Sequence, residues 1–463
     1  MERKYAWHNY DDATMEKVYA LSDTYRQFLD NGKTERECVV QAVEFAEAKG
    51  YVNLNDIIKS NTSIKAGDKI YYTHMDKSIA LFNIGTDDIE LGMNILGAHI
   101  DSPRLDVKQN PLYEDTDLAY LDTHYYGGIK KYHWVAMPLA IHGVVVKTDG
   151  TRININIGDK ENDPVFCITD LLPHLGQEQM QKNAAKVIEG EALDLLIGSR
   201  PVKDEEKEGV TKFINSLLEK EYGFIERDLL SAELEIVPAG KARDMGFDRS
   251  MIMAYGQDDR VCAYTSLVAM LEVDNVKRTT CCLLVDKEEI GSVGATGMQS
   301  RFFENAVAEI LTLMGKPNSV SVRRTLEKSR MLSSDVSAGY DPLYASAYEK
   351  KNASYLGMGV VFNKFTGSRG KAGSNDANAE YMGFIRRVME SNNVTYQTAE
   401  LGKVDLGGGG TIAYIMALYG MNVIDCGVAV LSMHAPWEVT SKADIYEAKQ
   451  CYVAFLNAAD ESI

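Results

Sequence analysis

At 463 residues the chain is longer than one ordinary domain needs and leaves room for a large core plus an inserted or appended unit. Apolar residues make up 45% and charged residues 25%, and no stretch reaches the run of about 18 apolar residues that a membrane span needs, so a soluble globular protein is expected. The formal charge of −18 argues against nucleic acid or an anionic membrane as partner, because the phosphate contacts that dominate such binding need a basic surface.

The N-terminus carries Glu2, Arg3, Lys4, Asp11 and Asp12 with no apolar run behind them, which reads as no secretory signal and a cytoplasmic location. Residues 12 to 30 place Met15, Val18, Tyr19, Tyr25, Phe28 and Leu29 at helical spacing and stop at Asn31-Gly32. Thr34 and Glu37 form a capping-box pattern ahead of a second helix closed by Gly50. Ser78 to Ile84 and Met93 to Ile100 are short apolar runs of the kind buried in a sheet covered on both faces. From 106 to 240 the texture changes: Gly143 to Lys147, the turn Asp149-Gly150 and Arg152 to Ile157 alternate as a half-exposed hairpin does. In the same stretch the charge run Lys203 to Glu208 reads as a solvated loop before a helix at 210 to 221. Beyond 240, strands at 279–285, 331–334 and 423–433 alternate with helices at 299–314 and 375–389. The expected architecture is α/β: a mixed, largely parallel sheet flanked by helices, built from 1–105 and 241–463, with an antiparallel-rich insert at 106–240. The seven cysteines are scattered, odd in number and free of any C-x-x-C pair, so reduced, buried thiols are expected.

Five times an apolar run ends on a side chain able to hold a metal: Asn94 to His99, Met251 to Asp258, Cys281 to Glu288-Glu289, Met331 to Asp335, and Val428 to His434. In open α/β sheets ligands bind beyond the carboxyl ends of the strands, so these residues are expected to converge. Two imidazoles and three carboxylates without thiolate suit catalytic zinc, cobalt or manganese better than a structural zinc site. Five ligands are too many for one open metal and fit two divalent ions about 3.5 to 4 Å apart. Asp258 is then the natural bridge, with His99 and Asp335 on one ion and Glu289 and His434 on the other. Asp101 is placed to orient the His99 ring, and Glu288 is free to take a proton from water and return it to a leaving amine. Each element alone has an ordinary reading: a solvated Glu-Glu pair, a core histidine, an Asp258-Asp259 helix cap. Their combination is harder to explain by packing, since a buried unpaired carboxylate is costly. The run Leu406-Gly407-Gly408-Gly409-Gly410-Thr411 reads as pocket lining; a phosphate loop would need a Gly-Lys-Ser/Thr ending.

The segments Ala98-His99-Ile100-Asp101-Ser102-Pro103-Arg104-Leu105-Asp106, Gln257-Asp258-Asp259-Arg260, Asp286-Lys287-Glu288-Glu289-Ile290-Gly291-Ser292, Ser334-Asp335 and Ser432-Met433-His434 resemble the aspartyl aminopeptidase and aminopeptidase I family of co-catalytic zinc metallo-aminopeptidases. The resemblance spans essentially the whole chain. It implies a zinc-peptidase-like catalytic domain interrupted by a β-rich dimerisation domain, assembly of dimers into a dodecamer, and release of single residues from peptides with a free N-terminus. It also implies the same ligands and the same base, Glu288. Leu172-Pro173-His174-Leu175 is similar to the family segment whose histidine reaches a neighbouring subunit's active site; an ordinary surface or core histidine stays open as the alternative. Where the family often continues with two histidines after Asp335, this chain has Ala338 and Asp341. The strand lysine of acidic-preferring members falls at Val361, so a neutral or hydrophobic N-terminal residue is at least as strongly indicated as an acidic one, with Lys364 and Lys371 as nearby sources of positive charge. Two other function classes remain at this point: a self-assembling metal-binding scaffold without peptidase turnover, and a related metallohydrolase acting on N-acylated amino acids.

Overall fold

The computed structural model describes residues 4–205 and 207–458. The readings made on Met1, Glu2, Arg3 and Glu206 lie outside the described residues. The chain divides into two units. The first comprises the chain up to Asp101, Ala242–Met433 and the chain from Glu438 onward; the second comprises Ser102–Lys241 and His434–Trp437. The sequence-based boundaries were 105/106 and 240/241, and the short segment around His434 was not separated there.

In the first unit Asp11 caps the helix Asp12–Asn31 by accepting from the Thr14 amide at 2.8 Å. The capping box of the next helix, Glu35–Ala48, is complete: Thr34 Oγ1 accepts from the Glu37 amide at 3.2 Å, and Glu37 Oε2 accepts from the Thr34 amide at 3.1 Å. Two donors that the first turn leaves without helical partners are thereby satisfied.

Among the described residues the strands form three sheets of nine, six and five. The nine-stranded sheet runs in the order Val52–Asn53, Lys69–His74, Ser78–Asn83, Thr280–Val285, Asn94–His99, Arg330–Ser333, Asn422–Gly427, Val360–Asn363, Tyr396–Ala399. Its four central strands, from Thr280–Val285 to Asn422–Gly427, are mutually parallel, while antiparallel pairings occur toward both flanks. Alternate residues enter two different cores. Leu96, Leu284, Leu332 and Ile424 pack in one, with the helices that hold Tyr25, Leu267 and Tyr452. Ile95, Leu283, Met331 and Val423 pack in the other, with Phe303, Ile310 and Met416. Both faces are covered, which is why these strands read as unbroken apolar runs.

A five-stranded sheet in the same unit joins Arg243–Met245, Met251–Ala254, Glu438–Ser441, Ala429–Leu431 and Ser337–Ala338. The single strand expected at 423–433 is therefore two strands, Asn422–Gly427 and Ala429–Leu431, in different sheets. A Cβ on Gly427 would lie 1.9 Å from the Asp335 carbonyl oxygen, so only glycine permits the close passage where the chain changes sheet.

The second unit holds the six-stranded sheet, antiparallel throughout, in the order Arg152–Ile157, Leu139–Val146, Ala232–Pro238, Arg104–Asp115, Leu118–Tyr126, Leu195–Gly198. The helix expected at 210–221 is Gly209–Leu217 followed by a π-helical turn, Leu218–Tyr222. No helix among the described residues is long and apolar enough to cross a membrane.

Replacing Thr34 by alanine removes the cap of Glu35–Ala48 and is expected to cost about 1 kcal/mol of local stability. Amide exchange should then quicken at Arg36 and Glu37; unchanged protection there would contradict the assignment.

Candidate metal centre

Four of the candidate residues follow the carboxyl ends of three adjacent parallel strands of the nine-stranded sheet. His99 is the last residue of Asn94–His99, Glu288 and Glu289 open the 3-10 turn that follows Thr280–Val285, and Asp335 lies just beyond Arg330–Ser333. The Asp335 amide donates to the Cys426 carbonyl at 3.3 Å, which ties this residue to the next strand. Asp258 comes from elsewhere. It follows Met251–Ala254 of the five-stranded sheet, after Gly256 with φ of 70°, and the Asp258–Asp259 peptide is cis. Its backbone at φ −82°, ψ 105° and that of Asp259 are non-helical, so the two residues form a kink ahead of the continuous helix that runs to Glu272.

Around the buried His99 the distances are short. Nε2 stands 3.2 Å from Asp258 Oδ1 and 3.9 Å from both Asp335 Oδ1 and Glu288 Oε2. Two ligands of a tetrahedral zinc, each about 2.0 Å from it, stand about 3.3 Å apart, so the His99–Asp258 spacing is that of a ligand pair. The potential ligand atoms of His99, Asp258 and Asp335 lie within 4.8 Å of one another, as do those of His99, Glu288 and Glu289. The ring Nδ1 is 3.0 Å from the Asp101 carbonyl oxygen. A carbonyl only accepts, so Nδ1 carries a proton, and Nε2, which faces the carboxylates, is the nitrogen left to bind a metal.

Asp101 differs from expectation in how it acts. Its carboxylate was expected to orient the imidazole; Oδ1 does lie 3.3 Å from Nδ1, but its two oxygens also accept the amides of Glu288 and Glu289, each at 3.1 Å. One wholly buried side chain thus braces both the histidine and the turn carrying the two glutamates. Two further residues support the site, Asp259 and, unmentioned in the sequence reading, Glu438. Glu438 Oε2 accepts the Asp258 amide at 3.0 Å, and Asp259 Oδ2 accepts the His99 amide at 3.3 Å. Both are buried. An acid inside the strand Glu438–Ser441 was the available signal, since an acidic residue at a buried strand position needs a donor.

Burial raises the carboxyls of Asp335 and Asp259 well above the ordinary range, and neighbouring carboxylates push them further. Burial alone pulls the His99 imidazole down, but its contacts with Asp101 and Asp258 and the charge of Glu288 outweigh that and raise it. Without cations the cluster therefore retains protons, which is the behaviour of a site built to be neutralised by metal. A donor set of imidazole and carboxylate oxygen, with the His99–Asp258 pair at 3.2 Å, fits zinc. The nearby Cys262 thiol is pushed up by burial and by Asp259.

In the second unit, His434 occupies the loop between Ala429–Leu431 and Glu438–Ser441 with φ of 64°, a left-handed conformation uncommon outside glycine. Its Nδ1 is 2.8 Å from the Gly128 carbonyl, which leaves Nε2 as the atom able to bind metal. His174 is exposed between the exposed Leu172 and Leu175. In the first unit, Gly408 and Gly409 sit in a partly exposed loop, and the Gly409 amide donates to the Thr366 carbonyl at 3.2 Å. Lys364 and Lys371 are both engaged by Asp376, at 2.6 and 2.9 Å, and Val361 is fully buried. Ala338 lies on the strand Ser337–Ala338, and Asp341 caps the turn Pro342–Ala347.

Because His99 and Asp335 hold protons that a metal must displace, zinc uptake by metal-free protein near pH 7 is expected to release protons and to tighten as pH rises. Titration calorimetry in buffers of different ionisation enthalpy checks this; identical heats in all buffers would contradict it.

Residues 28–456 match the family model described as aminopeptidase I zinc metalloprotease (M18). A probable M18 family aminopeptidase 1 of Clostridium acetobutylicum is 61% identical over 457 residues, covering 98% of this chain and 98% of that protein. The crystal structure of aminopeptidase I from Clostridium acetobutylicum superposes with a TM-score of 0.92 at 60% identity, over 99% of each chain. That of an M18 family aminopeptidase from Thermotoga maritima superposes with a TM-score of 0.94 at 44% identity, over 99% of this chain and 100% of that one. With similarity running along nearly its whole length, the chain belongs to the aminopeptidase I zinc metalloprotease (M18) family and is a metallo-aminopeptidase.

Proposed function

We propose that the chain removes single N-terminal residues from peptides at a two-zinc centre, with Glu288 as the general base. The observation that carries this reading is the ring of carboxylates around His99 Nε2: Asp258 at 3.2 Å, and Asp335 and Glu288 at 3.9 Å. His99 and Asp335 would hold one ion, Glu289 and His434 the other, and Asp258 would bridge them, with cobalt or manganese able to replace zinc. When bound, the metals supply Lewis acidity toward the scissile carbonyl and acidify water. Glu288 takes a proton on its carboxylate and returns it to the departing amine, while Asp101 holds the Glu288 amide so that the side chain keeps its aim. Gly408 and Gly409 would let the peptide approach backbone closely. His174 would act in a neighbouring copy's site within a dodecamer built from dimers; the exposed Leu172 and Leu175 beside it suit burial against another chain.

For the N-terminal residue we propose a neutral side chain. Val361 is buried and apolar, and Lys364 and Lys371 are both paired with Asp376, which leaves the exposed Arg369 as the remaining cation of this segment.

Glu288→Gln is expected to keep the zinc content of the parent and to lose turnover by about 10²- to 10⁴-fold. Elemental analysis beside single-turnover assays checks it, and a variant that stayed fully active would show that Glu288 is not the base. On a panel of aminoacyl substrates, leucyl and methionyl compounds should exceed aspartyl ones in kcat/KM by about tenfold or more. A faster aspartyl substrate would reverse the specificity reading, and cleavage of N-acylated substrates alone would replace the aminopeptidase mechanism.

A further inference from the structure

Asp425 lies in the strand Asn422–Gly427, directly beside the strand that delivers Asp335. It is 3% exposed and stands in register with Ser333 on one side and Asn363 on the other. Oδ1 accepts a hydrogen bond from Thr411 Oγ1 at 2.5 Å, and the same Oγ1 accepts from the Ala413 amide at 3.2 Å. Oδ2 is buried with no hydrogen-bond partner among the described residues, and so is Ser333 Oγ on the neighbouring strand. Leaving buried polar atoms unsatisfied is unfavourable, so a purely structural position would more naturally carry an apolar side chain. Burial pushes the Asp425 carboxyl up to about 7 against the opposing Thr411 bond, and the charge of Glu288 adds to the rise, which places Asp425 within electrostatic reach of the proposed base.

Thr411 ends the run Leu406-Gly407-Gly408-Gly409-Gly410 and carries its one polar side chain. The run is also tied by backbone bonds, from the Leu406 and Gly407 amides to the Lys403 carbonyl at 3.0 and 2.8 Å and from the Gly409 amide to the Thr366 carbonyl at 3.2 Å. A Cβ on Gly407 would lie 1.8 Å from the Leu401 carbonyl oxygen, and one on Gly408 would lie 2.6 Å from Ser368 Cα. Contact with these two backbones excludes larger residues, yet four glycines in succession lose more conformational freedom on ordering than any other sequence. The short hydroxyl-to-carboxylate bond at Thr411 is the side-chain tie that offsets part of that loss.

We propose that Asp425 is a positioning residue: through Thr411 it fixes the glycine run 406–411 against the strand pair that carries Asp335, and thereby sets where the N-terminal residue of the substrate lies relative to the metal ligands. This rests on the reading that the run lines the substrate pocket. Asp425 touches neither substrate nor metal in this role. The distance between the pocket wall and the ligands is held by one strand pairing and one hydrogen bond.

The test uses the full-length, zinc-loaded protein as parent, Asp425→Ala, Thr411→Val, the double variant and Asp425→Asn. Steady-state kinetics, zinc content and amide exchange over 401–413 are measured on each. Asp425→Ala and Thr411→Val should each raise KM by about tenfold or more, with a smaller change in kcat and unchanged zinc content. The double variant should be no worse than the worse single one, because both remove the same bond. Asp425→Asn keeps an acceptor for the Thr411 hydroxyl and should bring KM back to within about threefold of the parent. Exchange at 407–410 should quicken in both single variants and not in Asp425→Asn. A loss confined to kcat, additive penalties, an asparagine variant as impaired as alanine, or unchanged exchange would each overturn the proposal. Should Asp425→Ala fail to fold, Thr411→Val carries the same comparison. If the parent releases no amino acid, the pocket reading fails on its own, and the exchange data still decide whether Asp425 pins the run.

Discussion

Carboxyl groups crowd around the His99 imidazole: Asp258, Glu288 and Asp335 within 4 Å of its Nε2, and Asp259 on its amide. Their mutual repulsion is the constraint on which the rest of the structure depends. Such a cluster is tolerated when protonated or when cations enter it, and burial together with the neighbouring charges pushes Asp335, Asp259 and His99 upward. In a family of zinc metalloproteases, bound metal would supply the counter-charge for such a cluster as well as the catalytic chemistry.

Holding the carboxylates in place calls for a rigid surround. The central parallel strands bring His99, Glu288-Glu289 and Asp335 to their carboxyl ends, and both faces of those strands are filled by separate cores. Asp101 braces the histidine and the glutamate turn together, so displacement of one is resisted by the other. Glu438 grips the Asp258 amide from the second sheet. A ligand site assembled from two sheets needs such crossed supports, because no single element carries enough of it to keep the spacing.

Much of this was legible in the sequence, for a physical reason. A strand buried on both faces must be apolar until it ends, so the abrupt change from Leu96-Gly97-Ala98 to His99, or from Met331-Leu332 to Asp335, marks the functional edge. Helix starts were equally readable where the cap is local, as at Thr34 and Glu37. Less visible was whatever depends on pairing between distant segments. That Asp258 comes from a strand of a second sheet, and that the run at 423–433 splits between two sheets at Gly427, follows from strand partners far away in sequence. Asp101 was recognised as a support, but its hold on two backbone amides depends on a turn almost two hundred residues further along. The buried pair of Ser333 and Asp425 was missed because serine and aspartate next to apolar residues look like strand ends until register is known.

The central claim is that these residues bind two metal ions and that Glu288 stays free of them. The most direct measurement is anomalous diffraction at the zinc edge from crystals of the zinc-loaded protein. Two peaks are predicted about 3.5 to 4 Å apart, bridged by Asp258, with His99 and Asp335 on one and Glu289 and His434 on the other. A single peak, or a metal directly coordinated by Glu288, would contradict the account.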